Sequence, residues 1–410
     1  MWIIIRLLIG IAILITFEVY FIKKSGLSIK ILFPGFYQKK YRPIRNLFII
    51  FLNLFPVALV IIYIYFAITG AYVSAPDNFL IDYLVIYPFW VLFILLVQVS
   101  IYLLIIDFLK LLIFPLYKKH KQYLLHKQSI IVFILISFFL IYIPARIIYD
   151  YNTISVREIN FVKKGLPSQL NGFKIAFIAD IQLDHYTEDG RTERFIQEVN
   201  NLNPDLILIA GDLITTGPDY ITKSGEMVGK LKAKYGVYSC VGDHDNWAYR
   251  NDYQRSLSEV KNSLLKNNVE MVDNDERTIN IDRAEIGITF ITNTYVSRVS
   301  EIVLDSLASG NDSDFKIFLA HQPRNYLIDA ARKNHFDLYL AGHTHGGQIT
   351  LLFPFIQLTP TLIETNYIKG DFLFDGMMLI VTRGWGMSLA PVRYNSTPEI
   401  TLINLTSGSS

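Results

Sequence analysis

The chain has 410 residues, 52% of them hydrophobic, a formal net charge of +2 and a single cysteine. That apolar content is too high for one ordinary soluble domain, and the near-neutral charge gives nucleic-acid binding no compositional support. The lone Cys240 excludes an intrachain disulfide and any CxxC zinc site, and its apolar neighbours suit a small buried side chain.

The apolar residues concentrate in the first 150 positions. Four stretches reach the roughly 20 residues needed to cross a bilayer: Ile3–Ile22, Asn46–Thr69, Tyr83–Ile106 and Ser129–Tyr149. The first carries Arg6 and Glu18 near its ends, where long side chains can reach the interface, and lacks a small-residue cleavage site. It therefore reads as an anchor. The loop after it holds Lys23, Lys24, Lys30, Lys39, Lys40, Arg42 and Arg45 without an acid. The next loop holds only Asp77 and Asp82, and the third sets Lys110, Lys118, Lys119, Lys121 and Lys127 against Asp107. An excess of basic residues marks cytoplasmic loops. The expectation is a multi-pass protein of the cell membrane with both termini, and everything after Tyr149, outside the cytoplasm. Arg6 favours the opposite start, and Leu111–Leu116 could be a re-entrant or interfacial piece. The stretch from Asp150 to Gly172 reads as a link, and Thr406–Ser410 as a frayed tail.

From Gly172 onward strand patterns alternate with amphipathic ones. Strands are predicted at Lys174–Ala179, Asp205–Ala210, Gly236–Val241, Gly287–Thr292, Phe315–Ala320 and Phe336–Ala341. Helices are predicted at Thr192–Leu202, Ser224–Lys234, Ser256–Asn267 and Asn325–Lys333. Such alternation implies an α/β fold, in which ligands gather beyond the carboxyl ends of the strands. Five strand ends are rich in Asp and His: Asp180-Ile181-Gln182, Gly211-Asp212, Gly242-Asp243-His244-Asp245, His321-Gln322-Pro323 and Gly342-His343-Thr344-His345. Imidazole is the commonest metal-binding side chain. If the last segment is extended, His343 and His345 share a face and point at one place.

This set resembles the calcineurin-like metallophosphoesterase superfamily, with its D-x-H, G-D, G-N-H-D/E, H and G-H-x-H pattern. The stretch Thr382-Arg383-Gly384-Trp385-Gly386 with Pro398-Glu399-Ile400 is similar to the membrane-anchored bacterial branch, which includes phosphodiesterases and pyrophosphohydrolases of lipid-linked nucleotides. The resemblance covers Gly172 to about Leu405. It implies two sheets packed face to face with helices outside, an α-β-β-α sandwich, so that residues 1–150 form a membrane domain of about four helices and 151–410 the catalytic domain. It also implies two divalent metal ions. Asp212 would bridge them. Asp180 and His345 would hold the first, with Gln182 where the family usually has His. His321 and His343 would hold the second, with Asp243 where the family usually has Asn. His244 would stand near the leaving group.

Two divalent ions overcome the charge of a phosphoester, lower the pKa of a bridging water and clamp the attacking and leaving oxygens in line. The expected reaction is hydrolysis of a phosphodiester, phosphomonoester or pyrophosphate by that hydroxide. Carboxylate and imidazole donors suit Mn, Fe or Zn better than Ca. The neutral amide of Gln182 and the added charge of Asp243 shift the preference toward Mn²⁺, with weaker binding at the first position. His185 either substitutes as a ligand or lines the pocket. Asp184 is a similar case, and Asp245 orients His244 or a ligand. Arg393 either meets a substrate phosphate or lies on the surface, while Trp247 and Tyr249 either touch substrate or pack beneath their loop. The expected partners are the bilayer and a phosphoester; location alone suggests a lipid-linked or cell-envelope one, and a soluble nucleotide or phosphodiester stays open. A different class of reading, a degenerate metal- or phosphate-binding sensor, is opposed by the retained His244.

Overall fold

A computed structural model describes residues 2–69, 77–187, 189–249 and 251–408, without the side chains of residues 2–8, Leu116 and Asp189. The chain divides into two compact units, Met1–Ile148 and Tyr149–Ser410.

The first unit is helical. Among the described residues three helices are long and apolar enough to cross a membrane: Pro34–Thr69, Phe79–Leu112 and Lys121–Asn152. They contain the second to fourth predicted spans. The first predicted span falls in a 31-residue helix, Trp2–Leu32, and the side chain of its Arg6 lies outside the described residues. Leu111 and Leu112 end one helix, a turn at Ile113 follows, and Phe114–Lys119 is a short helix of its own. The unit leaves large apolar side chains such as Ile68, Ile141 and Leu111 mostly exposed. That is the arrangement of helices whose solvent is hydrocarbon. Polar residues join helices within it: Lys24 and the Tyr20 hydroxyl reach the Asp107 carboxylate at 2.7 and 2.8 Å, and the Asn53 amide donates to Glu18 at 3.0 Å.

The second unit has two six-stranded sheets. The first is built from β1 (Ser155–Lys164), β2 (Lys174–Ile178), β3 (Leu206–Ile209), β4 (Val237–Cys240), β5 (Glu270–Val272) and β12 (Glu399–Gly408), in the order β1-β12-β2-β3-β4-β5. The second holds β6 (Asp275–Ile281), β7 (Ala284–Ile291), β8 (Phe315–Ala320), β9 (Leu338–Ala341), β10 (Gly370–Phe374) and β11 (Met377–Val381), in the order β10-β11-β9-β8-β7-β6. The central strands β2 to β5 and β7, β8, β9 and β11 run parallel, as do β1 and β12, while β12–β2, β6–β7 and β10–β11 are antiparallel.

Side chains alternate across a strand, so each buried strand feeds two layers. Ile175, Phe177, Leu206 and Leu208 of the first sheet meet Ile286, Ile288, Ile317 and Leu340 of the second in one core. The opposite faces bury Ile207 and Ile209 against Phe195 and Val199, and Phe318 and Tyr339 against Leu327 and Ile328. The result is an α-β-β-α sandwich.

Several boundaries differ from the sequence reading. The Asp150–Gly172 segment is not a plain link: ten of its residues form β1, which pairs in parallel with β12, Arg157 opposite Thr401. Thr406, Ser407 and Gly408 are strand rather than frayed tail, while Ser409 and Ser410 lie outside the described residues. The helix expected at Ser224–Lys234 spans Ile221–Val228 and stops at Gly229, which packs against Asn267. The other predicted helices appear at Asp189–Asn201, Tyr253–Lys266 and Asn325–Lys333.

Candidate metal centre

The five Asp- and His-rich segments follow β2, β3, β4, β8 and β9, so the parallel order of the sheets carries them to one end of the sandwich. The turns that receive them are tight. Asp180, Gln182, Asp212, His343 and His345 all have positive φ, between 45° and 70°. Non-glycine residues adopt this left-handed backbone at a cost that surrounding structure must hold in place. Gly211, also at positive φ (72°), shows how close the turns pack, since a Cβ there would sit 2.5 Å from the Gly242 nitrogen.

His321 is fully buried, and its Nδ1 faces the Ala210 carbonyl at 2.6 Å. A carbonyl only accepts, so Nδ1 carries the proton and Nε2 turns to the carboxylates of Asp212 and Asp243, each at 3.3 Å. His343 is placed similarly. Its Nε2 lies 3.0 Å from Glu364, and its Nδ1 lies 2.9 Å from Asp243 and 3.3 Å from His321 Nε2. Asp243, His321 and His343 form one group able to hold a cation, and Asp180, Asp212 and His321 form another.

The two histidines of the Gly342-His343-Thr344-His345 segment do not point at one place. The segment is a left-handed turn, not an extended strand. His343 joins the first group, whereas His345 Nε2 approaches the other side of the site, 3.9 Å from Asp180. Gln182 donates to Asp212 at 3.0 Å, and its buried Oε1 has no hydrogen-bond partner. An orphaned buried acceptor is uncommon. Together with two imidazole lone pairs and three carboxylates at close range, it fits a site built around positive charge.

The electrostatics agree. Burial pushes the Asp180 carboxyl up to about 6. Burial acts the same way on Asp212 and Asp243, but the neighbouring imidazoles outweigh it, His321 and His244 at Asp212 and His321 and His343 at Asp243. Both carboxyls end well below the usual range. The reverse holds for His343: burial lowers it, yet Asp243 and Glu364 lift it to about 9. His345 is held well below the ordinary imidazole range, first by burial and then by Arg393. It is therefore neutral and able to donate a lone pair at neutral pH.

His244 lies across from these groups. Its backbone N–H donates to Asp212 at 2.8 Å, and Nδ1 meets the Thr215 carbonyl at 2.6 Å, which leaves Nε2 to face Ser388 at 3.2 Å. Asp245 is fully buried and accepts from the amides of Asp212, Leu213 and Gly242 at 3.1, 2.8 and 2.8 Å. It fixes the loop of Asp212 rather than the ring of His244. Asp184 accepts from the amides of Tyr186 and Thr187 and so closes a turn. His185 lies against the Tyr186 ring and belongs to neither cation-binding group.

Arg393 is neither on the surface nor open to substrate. It is 1% exposed and donates to the carbonyls of Gly386, His345, Ser396 and Arg383. Trp247 packs edge-on to the His244 ring, 4.7 Å between centroids, and the Tyr249 hydroxyl donates to Glu259 at 2.7 Å.

Sequence reasoning missed three supporting residues. Gln322 donates to both oxygens of Asp243 at 2.9 and 2.8 Å. The Tyr295 amide donates to the same carboxylate at 2.7 Å, and its hydroxyl to Glu364 at 2.6 Å. The Gln322 signal was present in the His321-Gln322-Pro323 strand end. Tyr295 and Glu364 sit on irregular loops without a pattern to mark them.

An α-β-β-α sandwich with clustered Asp and His at the strand ends defines a metal-dependent phosphoesterase. Residues 173–347 match the calcineurin-like phosphoesterase family. A metallophosphoesterase of Campylobacter jejuni is 30% identical over 312 residues, 73% of this chain and 76% of the relative. One from Bacillus subtilis is 29% identical over 248 residues, 59% of this chain and 82% of the relative. A zebrafish (Danio rerio) transmembrane protein with a metallophosphoesterase domain is 28% identical over 258 residues, 61% of this chain and 57% of the relative. The chain belongs to the calcineurin-like metallophosphoesterase family.

Proposed function

We propose that the protein hydrolyses a phosphoester at the membrane, using two divalent metal ions held at the strand ends. Asp212 would be the ligand shared between them. Asp180, Gln182 and His345 complete the first position, and Asp243, His321 and His343 the second. The observation that carries this reading is the convergence of Asp212, Asp243 and two imidazole nitrogens within 3.3 Å. Such a set is stable when cationic charge lies among it.

The bound ions would supply charge to attract the phosphate and make water nucleophilic near neutral pH. The protein's own residues do the rest. Asp245 and Gln322 hold Asp212 and Asp243 in place through their hydrogen bonds. The Thr215 carbonyl fixes the proton of His244 on Nδ1, so Nε2 is the nitrogen that meets the leaving group. Protonated there, it hands its proton to the departing oxygen. Oxygen donors outnumber nitrogens, with an amide at Gln182 and a carboxylate at Asp243, and that balance favours Mn²⁺ over Zn²⁺.

Three apolar helices and relatives named as transmembrane proteins support membrane association. The proposed arrangement is multi-pass, with the basic loops cytoplasmic and the catalytic unit outside. A lipid-linked or cell-envelope phosphoester is the corresponding substrate class. The test is hydrolysis of bis(4-nitrophenyl) phosphate by the detergent-solubilised chain. Turnover with Mn²⁺ that is abolished by EDTA and lost in Asp212→Ala supports the proposal. Absence of turnover with every divalent ion and every phosphoester tried overturns it.

A further inference from the structure

A polar cleft of about 930 Å³ opens beside the second metal position. Tyr295 and Glu364 form the wall it shares with that position. Tyr295 donates through its amide to Asp243 at 2.7 Å, and Glu364 lies 3.0 Å from His343. The only carboxylate in the lining is Glu364, and its charge is already answered by His343, the Tyr295 hydroxyl and an ion pair with Arg324.

Arg298 is different. It lines the same cleft and has no acidic partner among the described residues. Arg324 and Tyr326 line the cleft with it, so two cations border the same space. The helix Asn325–Lys333 begins at this wall with no side chain capping it, which adds the partial positive charge of a helix start. The cleft therefore carries an unmatched cationic wall a short distance from where the phosphorus would react.

We propose that this cleft receives the part of the substrate that is not cleaved, and that Arg298, backed by Arg324, binds a second anionic group on it. This rests on the phosphoesterase reading above and narrows its substrate class to phosphoesters with a further phosphate or carboxylate. Guanidinium matches both anions with paired hydrogen bonds. A diester with only neutral substituents would leave the wall unused.

The experiment compares three diesters with one leaving group: 4-nitrophenyl aryl phosphates whose aryl ring bears a 3-carbamoyl, a 3-carboxylate or a 3-phosphonate group. With Mn²⁺, the wild-type chain is expected to show kcat/KM at least about tenfold higher for the phosphonate or carboxylate than for the carbamoyl ester. Whichever anion gains more identifies the group the cleft prefers. Arg298→Ala is expected to erase the preference, and Arg298→Lys to keep part of it. Equal kcat/KM for the three esters in the wild type, or an undiminished preference in Arg298→Ala, overturns the proposal. Binding of phenylphosphonate to the EDTA-treated chain, followed by tryptophan fluorescence, separates the two readings. Binding that Arg298→Ala weakens supports the cleft even if no ester is turned over, in which case only the catalytic reading fails. No difference in binding between wild type and Arg298→Ala counts against the cleft whether or not esters are cleaved.

Discussion

Asp150, in the last turn of the helix Lys121–Asn152, accepts a 2.6 Å hydrogen bond from the Thr397 hydroxyl and a 3.3 Å bond from the Ser396 amide. The Ser396 hydroxyl in turn donates to the His345 carbonyl at 2.7 Å, and Arg393 donates to the carbonyls of both Ser396 and His345. A buried carboxylate far away in sequence thus sets the backbone of a proposed metal ligand. Arg191 strengthens the same corner, with its guanidinium 4.5 Å from the Tyr151 ring and 3.9 Å from the Trp385 ring.

Replacing Asp150 by Ala takes the acceptor away from two buried donors. A buried donor left unmatched costs about 1–3 kcal/mol, so Asp150→Ala is expected to lower the melting temperature of the solubilised chain by several degrees. Because the disturbance passes through His345, it is also expected to weaken Mn²⁺ at the first position more than at the second. A two-step Mn²⁺ titration followed by electron paramagnetic resonance checks this. Equal weakening of both steps would mean that Asp150 acts on the fold alone.

The residues that the family pattern marks were legible because strand ends announce themselves: a short apolar run, a glycine, then Asp or His. What lies behind those residues was not legible. Asp245 is a partial exception: the motif marks it as orienting His244 or a ligand, and its hydrogen bonds go to the turn of Asp212. Arg393 looks like a phosphate-binding side chain and is instead a buried brace for four carbonyls. β1 was missed because its Ser155–Lys164 run mixes charges with apolar residues and its partner, β12, comes at the far end of the chain. Pairing at such separation leaves no local pattern, since the register is chosen by the tertiary fold. The Glu399 of that partner strand serves the fold as well, bonding Arg157 at 3.1 Å and pairing with Arg383 at 3.3 Å.

Gln182 is the clearest departure from the family pattern. Its amide nitrogen is spent on Asp212, and its oxygen is the one donor it offers. Imidazole is the better donor to Zn²⁺. Gln182→His is expected to tighten Zn²⁺ about tenfold or more relative to Mn²⁺, read by competition with a chromogenic chelator. Tighter Zn²⁺ binding by the wild type than by the variant would contradict the proposed role of this residue.

His244 is expected to matter in proportion to how poor the leaving group is. A positioned general acid is worth roughly 10²–10⁴ in rate. His244→Ala should lose that factor with an alkyl ester and much less with 4-nitrophenol, whose oxygen leaves without a proton. Equal losses across a series of leaving groups would assign His244 to binding instead.

The orientation of the catalytic unit can be checked with the chain's own cysteine as a silent background. Cys240 is fully buried, and burial pushes its thiol far up, so it resists labelling. Ser258 is exposed on the helix Tyr253–Lys266. In intact cells Ser258→Cys is expected to react with a membrane-impermeant maleimide, as the basic loops require. Labelling only after the cells are opened would place the unit in the cytoplasm.

Glu364 supplies the last test, because it links the cleft to the metal centre. As the acceptor of His343 Nε2 it keeps that proton in place and leaves Nδ1 free for a cation. A carboxylate behind a ligating histidine fixes its tautomer and raises its donor strength, and losing one typically costs 10- to 100-fold in metal affinity. Glu364→Gln retains the shape, but its amide can turn either oxygen or nitrogen toward His343 while Arg324 loses its ion-pair partner. The expected outcome is a 10- to 100-fold weaker second Mn²⁺ step with the first step little changed. Glu364→Ala should weaken it further. An unchanged second step in both variants would show that His343 needs no carboxylate to hold its orientation.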